Sequence, residues 1–562
     1  MAGAGKGDRK AGRKATQQAT VAKKANVETE FYWGARARAM AVGGRRAQTP
    51  AEVLQAEKVL FASHSGVAGI NFGQYDAIPV ECKGPGAAAV APLQSFTVLE
   101  GKLPAFVFHN LQQMKYASPT PIQRYSIPCA LGIGLDAPVD IMACAQTGSG
   151  KTCSFLLPVI AALGRDACAE CSQAATGRVD AADGKFYCDA CWDALDANNL
   201  EVGATPTYAV VMAPTRELAI QIHLEARKLC NGSSIHAVCV YGGAAARGQL
   251  QELAMGGEVL VATPGRLIDF VDRGIITLAR TRFLVLDEAD RMLDMGFEPQ
   301  IRQVVLKRDM PAKEQRQTLM FSATFPAPIQ KLAAEFMRPY VWIGVGRVGS
   351  SVESIKQELV LATNDKRHKL ELALEALRSE PLARTLVFVQ KKSTADWVCK
   401  ALKRDHGVNA DAIHGDRNQS QREAALRAFR EGRTIVLVAT DVAARGLDIA
   451  EVKLVINFDL PCSPDDFDSY THRIGRTGRA GNTGRAVAFY VPGFDPKTGN
   501  GRIAPQLLTL MTESGSEVPP WFTQLQETQN LPEALAANGI SDGGGGRGGG
   551  QGRGGRGAAS DA

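Results

Sequence analysis

The sequence predicts an α/β protein with two parallel-sheet domains in tandem, flanked by disordered tails. From about residue 95, short apolar segments alternate with helical segments, and the alternation begins again after the stretch 344–350. Apolar strands that alternate with helices are typical of parallel sheets covered on both faces. The length of 562 residues also requires more than one hydrophobic core.

The alternating segments give the position of each expected strand. We expect the first domain at 69–344 and the second at 345–502. The strand candidates of the first domain are 140–145, 208–213, 237–241, 258–262 and 283–286. Those of the second domain are 385–389, 434–439, 454–457 and 486–490. Each candidate is a short apolar run of the kind that forms buried strands.

The composition excludes some classes of protein. Apolar residues make up 45% of the chain and charged residues 22%, as in soluble globular proteins. No apolar run is long enough to span a membrane, and no N-terminal segment resembles a secretory signal. We therefore expect no membrane partner and a cytoplasmic location, with passage through the nucleus left open.

The N-terminal extension, residues 1–68, is basic. Residues 1–48 hold eleven Lys and Arg against three acidic residues, so the net charge of +6 leaves the rest of the chain slightly acidic. We expect this extension to be largely disordered, apart from an aromatic cluster at 31–33 and a short amphipathic helix at 51–61. A basic segment gains affinity for nucleic acid by releasing counterions. A tail that only aids solubility and an organelle transit peptide are the alternatives.

The C-terminal extension, residues 503–562, ends in an Arg-Gly-Gly segment. Residues 543–557 are glycine except for Gln551 and three arginines, Arg547, Arg553 and Arg556. Such a segment cannot form a hydrophobic core, and its arginines can bind RNA by stacking and charge. A flexible tether is the alternative reading of the same composition.

Two motifs in the first domain predict a nucleoside triphosphatase. Residues 145–152 read Ala-Gln-Thr-Gly-Ser-Gly-Lys-Thr, a loop whose backbone N–H groups can cradle phosphates. Lys151 would neutralise phosphate charge, and the Thr152 hydroxyl would bind Mg²⁺. The acidic pair Asp287 and Glu288 directly follows the strand candidate 283–286, which places both at the carboxyl edge of the sheet. A plain Gly/Ser turn is the alternative for the loop alone.

Four cysteines predict a zinc module inside the first domain, at residues 165–200. Two Cys-x-x-Cys pairs are separated by sixteen residues, a spacing typical of Cys₄ zinc sites, with a small hairpin between them. Disulfides and unliganded thiols are the alternatives. The expected zinc ligands are Cys168, Cys171, Cys188 and Cys191.

Taken together, the motifs resemble those of DEAD-box RNA helicases between about residues 70 and 522. The first-domain motifs are Phe96, 116–123, 145–152, 214–218, 242–243, 263–266, 287–290 and 322–324. The second-domain motifs are 414–417, 440–448 and 472–479. Segments 70–81, 345–350 and 517–522 resemble the branch that contains Vasa and the translation-initiation helicases. Ser118 departs from that branch, which usually has a basic residue there.

The resemblance implies two RecA-like domains, ATP as cofactor with Mg²⁺, and a set of nucleotide contacts. The nucleotide-binding residues would be Phe96, Tyr116, Gln123, Gln146, Thr147, Gly148, Ser149, Gly150, Lys151 and Thr152. Tyr116 and Gln123 suit stacking on adenine and pairing with its Hoogsteen edge. Asp287 would hold Mg²⁺ through water, and Glu288 would polarise the attacking water.

The second domain would complete the catalytic site when the two domains close. Arg476 and Arg479 match the arginine fingers of the family, and Asp448 matches a residue near the ribose and the catalytic site. Ser322 and Thr324 would couple the carboxylates to RNA. The catalytic residues implied by the resemblance are Lys151, Asp287, Glu288, Asp448, Arg476 and Arg479.

The implied RNA contacts are small, hydroxyl or arginine residues. Such residues reach phosphates and 2′-hydroxyls but read no base sequence. They are Pro214, Thr215, Arg216, Gly243, Thr263, Arg266, Gly415, Arg417 and Thr440.

The resemblance therefore implies an ATP-dependent RNA helicase that acts as a monomer on single strands and short duplexes. Partners from translation initiation or ribonucleoprotein granules would fit the resembled branch. The rival reading is an ATP-gated RNA clamp whose slow hydrolysis serves the assembly of a complex.

Overall fold

The computed structural model describes residues 25–41, 49–62, 78–116, 118–145, 148–164, 177–179, 186–188, 203–346, 355–381, 383–441, 452–478, 483–495 and 497–529. Within these ranges the chain forms two parallel sheets covered by helices, so the predicted fold class of two RecA-like domains is confirmed.

The first domain contains an eight-stranded sheet with the order β1-β12-β2-β11-β10-β6-β8-β7. All neighbours are parallel except β1 and β12. Its strands are β1 Val80–Lys83, β2 Asp140–Cys144, β6 Ala209–Met212, β7 Ala237–Val240, β8 Val259–Ala262, β10 Phe283–Leu286, β11 Gln317–Ser322 and β12 Tyr340–Val345. Two separate small pairings are formed by β3 Gly177–Val179 with β4 Phe186–Cys188, and by β5 Thr205–Pro206 with β9 Ile276–Thr277.

The second domain contains a six-stranded, fully parallel sheet with the order β13-β18-β17-β14-β16-β15. Its strands are β13 Ile355–Leu361, β14 Arg384–Val389, β15 Ala410–Ile413, β16 Val436–Thr440, β17 Val452–Asn457 and β18 Gly484–Tyr490. The central strands β14, β16 and β17 are almost entirely buried, as expected for strands with helices on both faces.

Helices cover both faces of each sheet. In the first domain they are α1 (residues 25–41), α2 Pro50–Phe61, α3 Ala105–Gln113, α4 Pro121–Leu131, α5 Lys151–Leu163, α6 Arg216–Leu229, α7 Ala246–Ala254, α8 Pro264–Asp272, α9 Ala289–Asp294, α10 Glu298–Lys307 and α11 Ala327–Phe336. In the second domain they are α12 Lys366–Ser379, α13 Lys392–His406, α14 Gln419–Arg430, α15 Phe467–Ile474, α16 Ala504–Glu513 and α17 Pro520–Gln529. Among the described helices, none is both long and apolar enough to cross a membrane.

The N-terminal extension contains more structure than the sequence analysis expected. Residues 25–41 form α1, which packs on the first domain and buries the Tyr32 side chain completely. The Tyr32 hydroxyl lies 2.7 Å from Thr205 Oγ1 and accepts a hydrogen bond from Thr205 N at 2.9 Å. Arg273 donates to the carbonyl oxygen of Ala25 and pairs with Glu28. The expectation of a largely disordered extension therefore needs correction for α1, because long-range contacts order it.

The helix predicted at 51–61 is present as α2.

The C-terminal extension also begins later than predicted. Helices α16 and α17 belong to the second domain, because Leu507, Met511 and Phe522 are buried in its hydrophobic core. The Phe522 ring lies 5.1 Å from the ring of Tyr490 on β18. The boundary expected at residue 503 is therefore too early, while the Arg-Gly-Gly segment lies outside the described residues.

Candidate nucleotide site and domain interface

The loop between β2 and α5 has the shape of a phosphate-binding loop. Gly148 and Gly150 adopt positive φ angles of 83° and 89°, a left-handed conformation that suits glycine. Lys151 begins α5 and is 6% exposed, and its Nζ donates to the carbonyl oxygen of Ala145 at 2.7 Å. A helix N-terminus with a buried ammonium group favours bound anions. Thr152 follows in the first turn, while Gln146 and Thr147 lie outside the described residues.

The start of α4 holds this loop in place. Thr120 Oγ1 donates to the carbonyl oxygen of Ser149 at 2.7 Å, and Gln123 Nε2 donates to that of Gly150 at 3.1 Å. Gln123 Oε1 in turn accepts from Thr120 N, which forms a capping box. A Cβ atom on Gly150 would lie 2.5 Å from Gln123 Nε2. Gln123, which is expected to recognise adenine, therefore also contacts the phosphate loop and restricts its conformation.

The two predicted aromatic residues lie next to each other beside this element. The ring centroids of Phe96 and Tyr116 are 6.0 Å apart. Phe96 is buried in the core of the first domain, and the half-buried Tyr116 packs against the same core. This arrangement leaves Tyr116 as the more exposed of the two rings for stacking.

Asp287 and Glu288 are buried at the carboxyl end of β10, at 3% and 5% exposure. Burial, reinforced by the charge of Glu288 and opposed by Lys151, raises the pKa of Asp287 to about 7. A divalent cation would offset this loss of hydration, so the donor set fits Mg²⁺. Burial also disfavours the charge of Glu288, but Arg291 and Arg476 outweigh it and lower the Glu288 pKa to about 2.

Arg291 positions Glu288, a role that the sequence analysis missed. Its Nη1 donates to Glu288 Oε2 at 2.9 Å, and both side chains are nearly inaccessible to solvent. Glu288 itself adopts a positive φ of 51°, a strained conformation for a non-glycine residue and one that clusters at functional sites. The sequence signal was the position of Arg291 three residues after Glu288, in the first turn of the helix that Glu288 precedes.

Asp290 connects the carboxylate pair to Ser322 and Thr324. Its Oδ2 accepts from Thr324 N and Thr324 Oγ1, both at 3.0 Å, and from Ala323 N at 3.1 Å. Its backbone N–H donates to Ser322 Oγ at 3.3 Å. The two residues expected to couple the domains thus lie in one hydrogen-bond network with the carboxylates, through a residue to which the sequence analysis gave no role.

The second domain reaches this network through α15. His472 Nε2 lies 3.8 Å from Asp290 Oδ2, with both side chains buried. Burial and the charge of Arg291 lower the pKa of His472 to about 3, so its ring is neutral at pH 7. Arg476 is 2% exposed, donates to the carbonyl oxygen of His472, and contributes to the low pKa of Glu288. The positive charge of Arg476 therefore stabilises the ionised carboxylate of Glu288 in the first domain. Arg479 and Asp448 lie outside the described residues.

Contacts between α6 of the first domain and α14 of the second also join the two domains. Arg216 Nη1 donates to Gln419 Oε1 at 2.6 Å, and Glu217 pairs with Arg422 at 2.6 Å. Arg216 is one of the expected RNA contacts. In this conformation its guanidinium also links the two domains.

The other expected RNA contacts follow the carboxyl ends of strands in both sheets. Arg266 Nη2 donates to the carbonyl oxygen of Ala244 at 3.2 Å, and Arg417 pairs with Asp411 at 3.0 Å and with Asp396 at 3.4 Å. These arginines are held in fixed positions rather than fully extended into solvent. The remaining residues, which follow or end β6, β7, β8, β15 and β16, are Pro214, Thr215, Gly243, Thr263, Gly415 and Thr440.

The predicted hairpin of the cysteine-containing insert is present. Strands β3 and β4 pair antiparallel, with Gly177 opposite Cys188. Cys168, Cys171 and Cys191 lie outside the described residues. Across the part of the chain that the structure describes, no group of three or more metal-binding side chains is found.

Known proteins resemble the chain in both sequence and fold. The profile of the DEAD/DEAH box helicase family matches residues 120–332, and the helicase conserved C-terminal domain matches residues 368–481. The Saccharomyces cerevisiae protein Dbp5, solved with RNA and ADP BeF3, is 26% identical, with 79% of this chain and 99% of that chain covered and a TM-score of 0.58.

Two other proteins of solved structure are also similar. Prp28 from Chaetomium thermophilum, solved with ADP, is 32% identical over 79% of this chain and 94% of its own, with a TM-score of 0.36. Mss116p, solved with single-stranded RNA and AMP-PNP, is 23% identical over 80% of this chain and 84% of its own, with a TM-score of 0.58. Because the two family profiles follow each other in order and together cover more than half of the chain, the protein belongs to the DEAD-box helicase family of RNA-stimulated ATPases.

Proposed function

We propose that this protein uses ATP to separate short RNA duplexes locally and to remodel RNA–protein complexes. The observation that carries the proposal is the buried contact between domains, in which His472 approaches Asp290 and Arg476 lowers the pKa of Glu288. Hydrolysis would then depend on domain closure, and closure would depend on bound RNA. A conformational cycle of this kind couples ATP turnover to the release of a bent strand.

Sequence-independent RNA binding is supported by the chemistry of the residues at the strand ends. Arg266, Arg417 and the hydroxyl residues Thr263 and Thr440 can bind phosphates and 2′-hydroxyls, which carry no base sequence. Dbp5, which has RNA bound in its solved structure, supports RNA as the partner. We also propose a cytoplasmic location. The proposed protein partners come from translation initiation or from ribonucleoprotein granules.

The nucleotide would be ATP with Mg²⁺. Lys151 and the loop around Gly148 and Gly150 would bind its phosphates, while Asp287 and Thr152 would hold the cation. When bound, the cation neutralises phosphate charge. Glu288, ionised because of its low pKa, would accept a hydrogen bond from the attacking water and orient it.

The test is the substitution Glu288→Gln. The amide keeps the shape of the side chain but cannot polarise water, so we expect RNA-stimulated phosphate release to fall by about 10²-fold or more while ATP and RNA binding persist. Duplex separation under multiple-turnover conditions should fall with it. The matched control is Glu298→Gln, which changes a glutamate on the surface of α10. Normal phosphate release by the Glu288→Gln protein would refute the proposal.

A clamp with slow hydrolysis is the second candidate. It is favoured by two polar side-chain contacts between domains outside the carboxylate site, Arg216 with Gln419 and Glu217 with Arg422, which stabilise a closed state. Single-turnover and multiple-turnover duplex separation distinguish the candidates. A clamp would hold RNA through many minutes per ATP, whereas a helicase would release it at each turnover.

We also propose that the insert binds one Zn²⁺ through Cys168, Cys171, Cys188 and Cys191. The spacing of the two Cys-x-x-Cys pairs and the hairpin between them support this assignment. Elemental analysis of the purified protein should give one zinc per chain, and Cys188→Ser should lose it while basal ATPase activity persists. Zinc well below one equivalent would contradict the proposal.

A further inference from the structure

Six strands of the first sheet have the same order as the six strands of the second. The shared positions follow the chain order of both sheets. The strands of the first sheet are β2, β6, β7, β8, β10 and β11, and they correspond one by one to β13, β14, β15, β16, β17 and β18 of the second. The segment after β13 therefore corresponds to the phosphate loop after β2. The end of β17 likewise corresponds to the end of β10, where Asp287 lies.

A cavity lies at this corresponding place in the second domain. It has a volume of about 320 Å³ and is lined by residues that follow β13, β14, β17 and β18. Two helices, α12 and α13, begin at its wall, which brings two sets of backbone N–H groups to one place. The volume lies at the lower end of the range for small-molecule sites.

The cavity is rich in lysine. Lys366, Lys369, Lys391 and Lys497 line it, against two acidic residues. Lys369 is 5% exposed, and its Nζ lies 2.8 Å from Asp459 Oδ1. The buried Lys369 thus corresponds to the buried Lys151 of the first domain, while its partner Asp459 is more exposed than Asp287.

The acidic residues of the cavity are already bound within the protein. Asp459 Oδ2 accepts from Gln390 N, in addition to the pair with Lys369. Asp365 caps α12 by accepting from Arg367 N. The three exposed lysines, Lys366, Lys391 and Lys497, consequently give the wall an excess of positive charge.

We propose that this cavity binds a short oligophosphate, such as a diphosphate or triphosphate group. The lysines supply charge, and Asn364, Gln390, Thr394 and Thr498 supply polar groups for phosphate oxygens. Among the described residues that line the cavity, no exposed ring is available for stacking a nucleobase, because Phe458 is 1% exposed and Lys369 covers its ring at 5.7 Å. The second domain would thus bind a phosphate chain without the base recognition that Gln123 and Tyr116 provide in the first.

The test uses inorganic pyrophosphate and the full chain. Cys462 lines the cavity and is partly exposed, so its alkylation by iodoacetamide, followed by mass spectrometry, reports on this site directly. We expect pyrophosphate to slow the alkylation of Cys462 about fivefold or more relative to Cys82, which is also partly exposed but lies in the first domain. The same protection should occur in the Lys151→Ala protein, because the first phosphate site is not needed for it.

Paired substitutions localise the binding. The Lys366→Ala/Lys391→Ala protein should lose the protection, whereas the matched Lys400→Ala/Lys403→Ala protein, changed on exposed positions of α13, should keep it. Calorimetry with the Lys151→Ala protein should give one pyrophosphate site, absent after the Lys366→Ala/Lys391→Ala change. The proposal would be overturned if the heat of binding persisted after the Lys366→Ala/Lys391→Ala change. It would also be overturned if the Lys151→Ala protein bound no pyrophosphate. Protection of Cys462 by single-stranded RNA but not by pyrophosphate would also overturn it and assign the cavity to the RNA surface.

Discussion

The two sheets of this protein share a strand order but differ in the chemistry at their carboxyl ends. The first sheet places two glycines of positive φ before Lys151, which begins its helix. The second has no glycine among residues 362–365, and its buried lysine, Lys369, lies one turn inside its helix. The topology therefore determines where phosphates can bind, and the loop sequence determines how closely they can approach.

The carboxylates at the ends of β10 and β17 also differ in burial and in their partners. Asp287 and Glu288 are buried together, and the pKa of Asp287 is raised to about 7 by that burial. Asp459 at the corresponding place is 20% exposed and is paired with Lys369. A carboxylate that is already paired within the protein has little to gain from a cation. We infer that catalysis belongs to the first sheet, while the second contributes charge from Arg476.

The largest expected effect tests this division of roles. Arg476→Ala should slow RNA-stimulated turnover by about 10³-fold with ATP affinity nearly unchanged, because an arginine supplied by another domain stabilises mainly the transition state. Steady-state kinetics with a separate nucleotide-binding assay would measure both. The control Arg485→Ala removes an arginine of β18 that pairs with Glu358, and turnover should stay normal. Parallel losses of affinity and turnover in the Arg476→Ala protein would contradict the assignment.

The second-largest expected effect is on ATP affinity, and it distinguishes Lys151 of the first domain from Lys369 of the second. Lys151→Ala should weaken ATP binding by about 10²-fold, since a hydrogen bond to a charged group contributes roughly 1.5–3 kcal/mol. Lys369→Ala should leave ATP affinity unchanged, although it removes the partner of Asp459 and lowers the stability of the second domain. Titration of both proteins with a fluorescent ATP analogue gives the comparison. If ATP affinity fell equally in both, the two sheets would share one nucleotide site.

The third effect concerns the glycine loop. Gly150→Ala should weaken ATP binding about tenfold, or ~1.4 kcal/mol, because the new Cβ would lie 2.5 Å from Gln123 Nε2 and shift the loop. The control Gly407→Ala has a similar positive φ of 65° but open space around the Cβ. It should reduce stability by about 1 kcal/mol and leave ATP affinity unchanged. Calorimetry with ATP and thermal unfolding separate these outcomes.

The smallest effect compares one buried tyrosine in each domain. Tyr32→Phe removes a hydroxyl that is bonded to Thr205 and should destabilise the first domain by about 1 kcal/mol. Tyr490→Phe removes a buried hydroxyl for which no hydrogen-bond partner is found among the described residues, so it should be neutral or stabilising. Denaturant unfolding of the two proteins gives the sign of each change. Unchanged stability of the Tyr32→Phe protein would mean that the hydrogen bonds between Tyr32 and Thr205 do not stabilise the first domain.

The sequence predicted most of the central strands but missed β11, Gln317–Ser322, which is buried throughout and whose polar residues, such as Thr318, interrupt the apolar pattern. Strand β10, Phe283–Leu286, is apolar throughout and was predicted with its observed bounds, since a strand buried on both faces needs no polar positions. Strand β13 was missed because it lies at the edge of its sheet, where exposed Lys356 interrupts the apolar pattern. Helix α1 was missed because its order comes from contacts with residues more than 170 positions away, such as Thr205.

The sequence by itself determined the fold class, the family, the phosphate loop and the pair Asp287 and Glu288, because local motifs and periodicity encode these features. Only the tertiary structure decided which residues support them. Arg291 holds Glu288, Asp290 joins Thr324, and His472 approaches Asp290 from the other domain. Such partnerships depend on distances between residues that are far apart in the chain, and no local pattern specifies those distances.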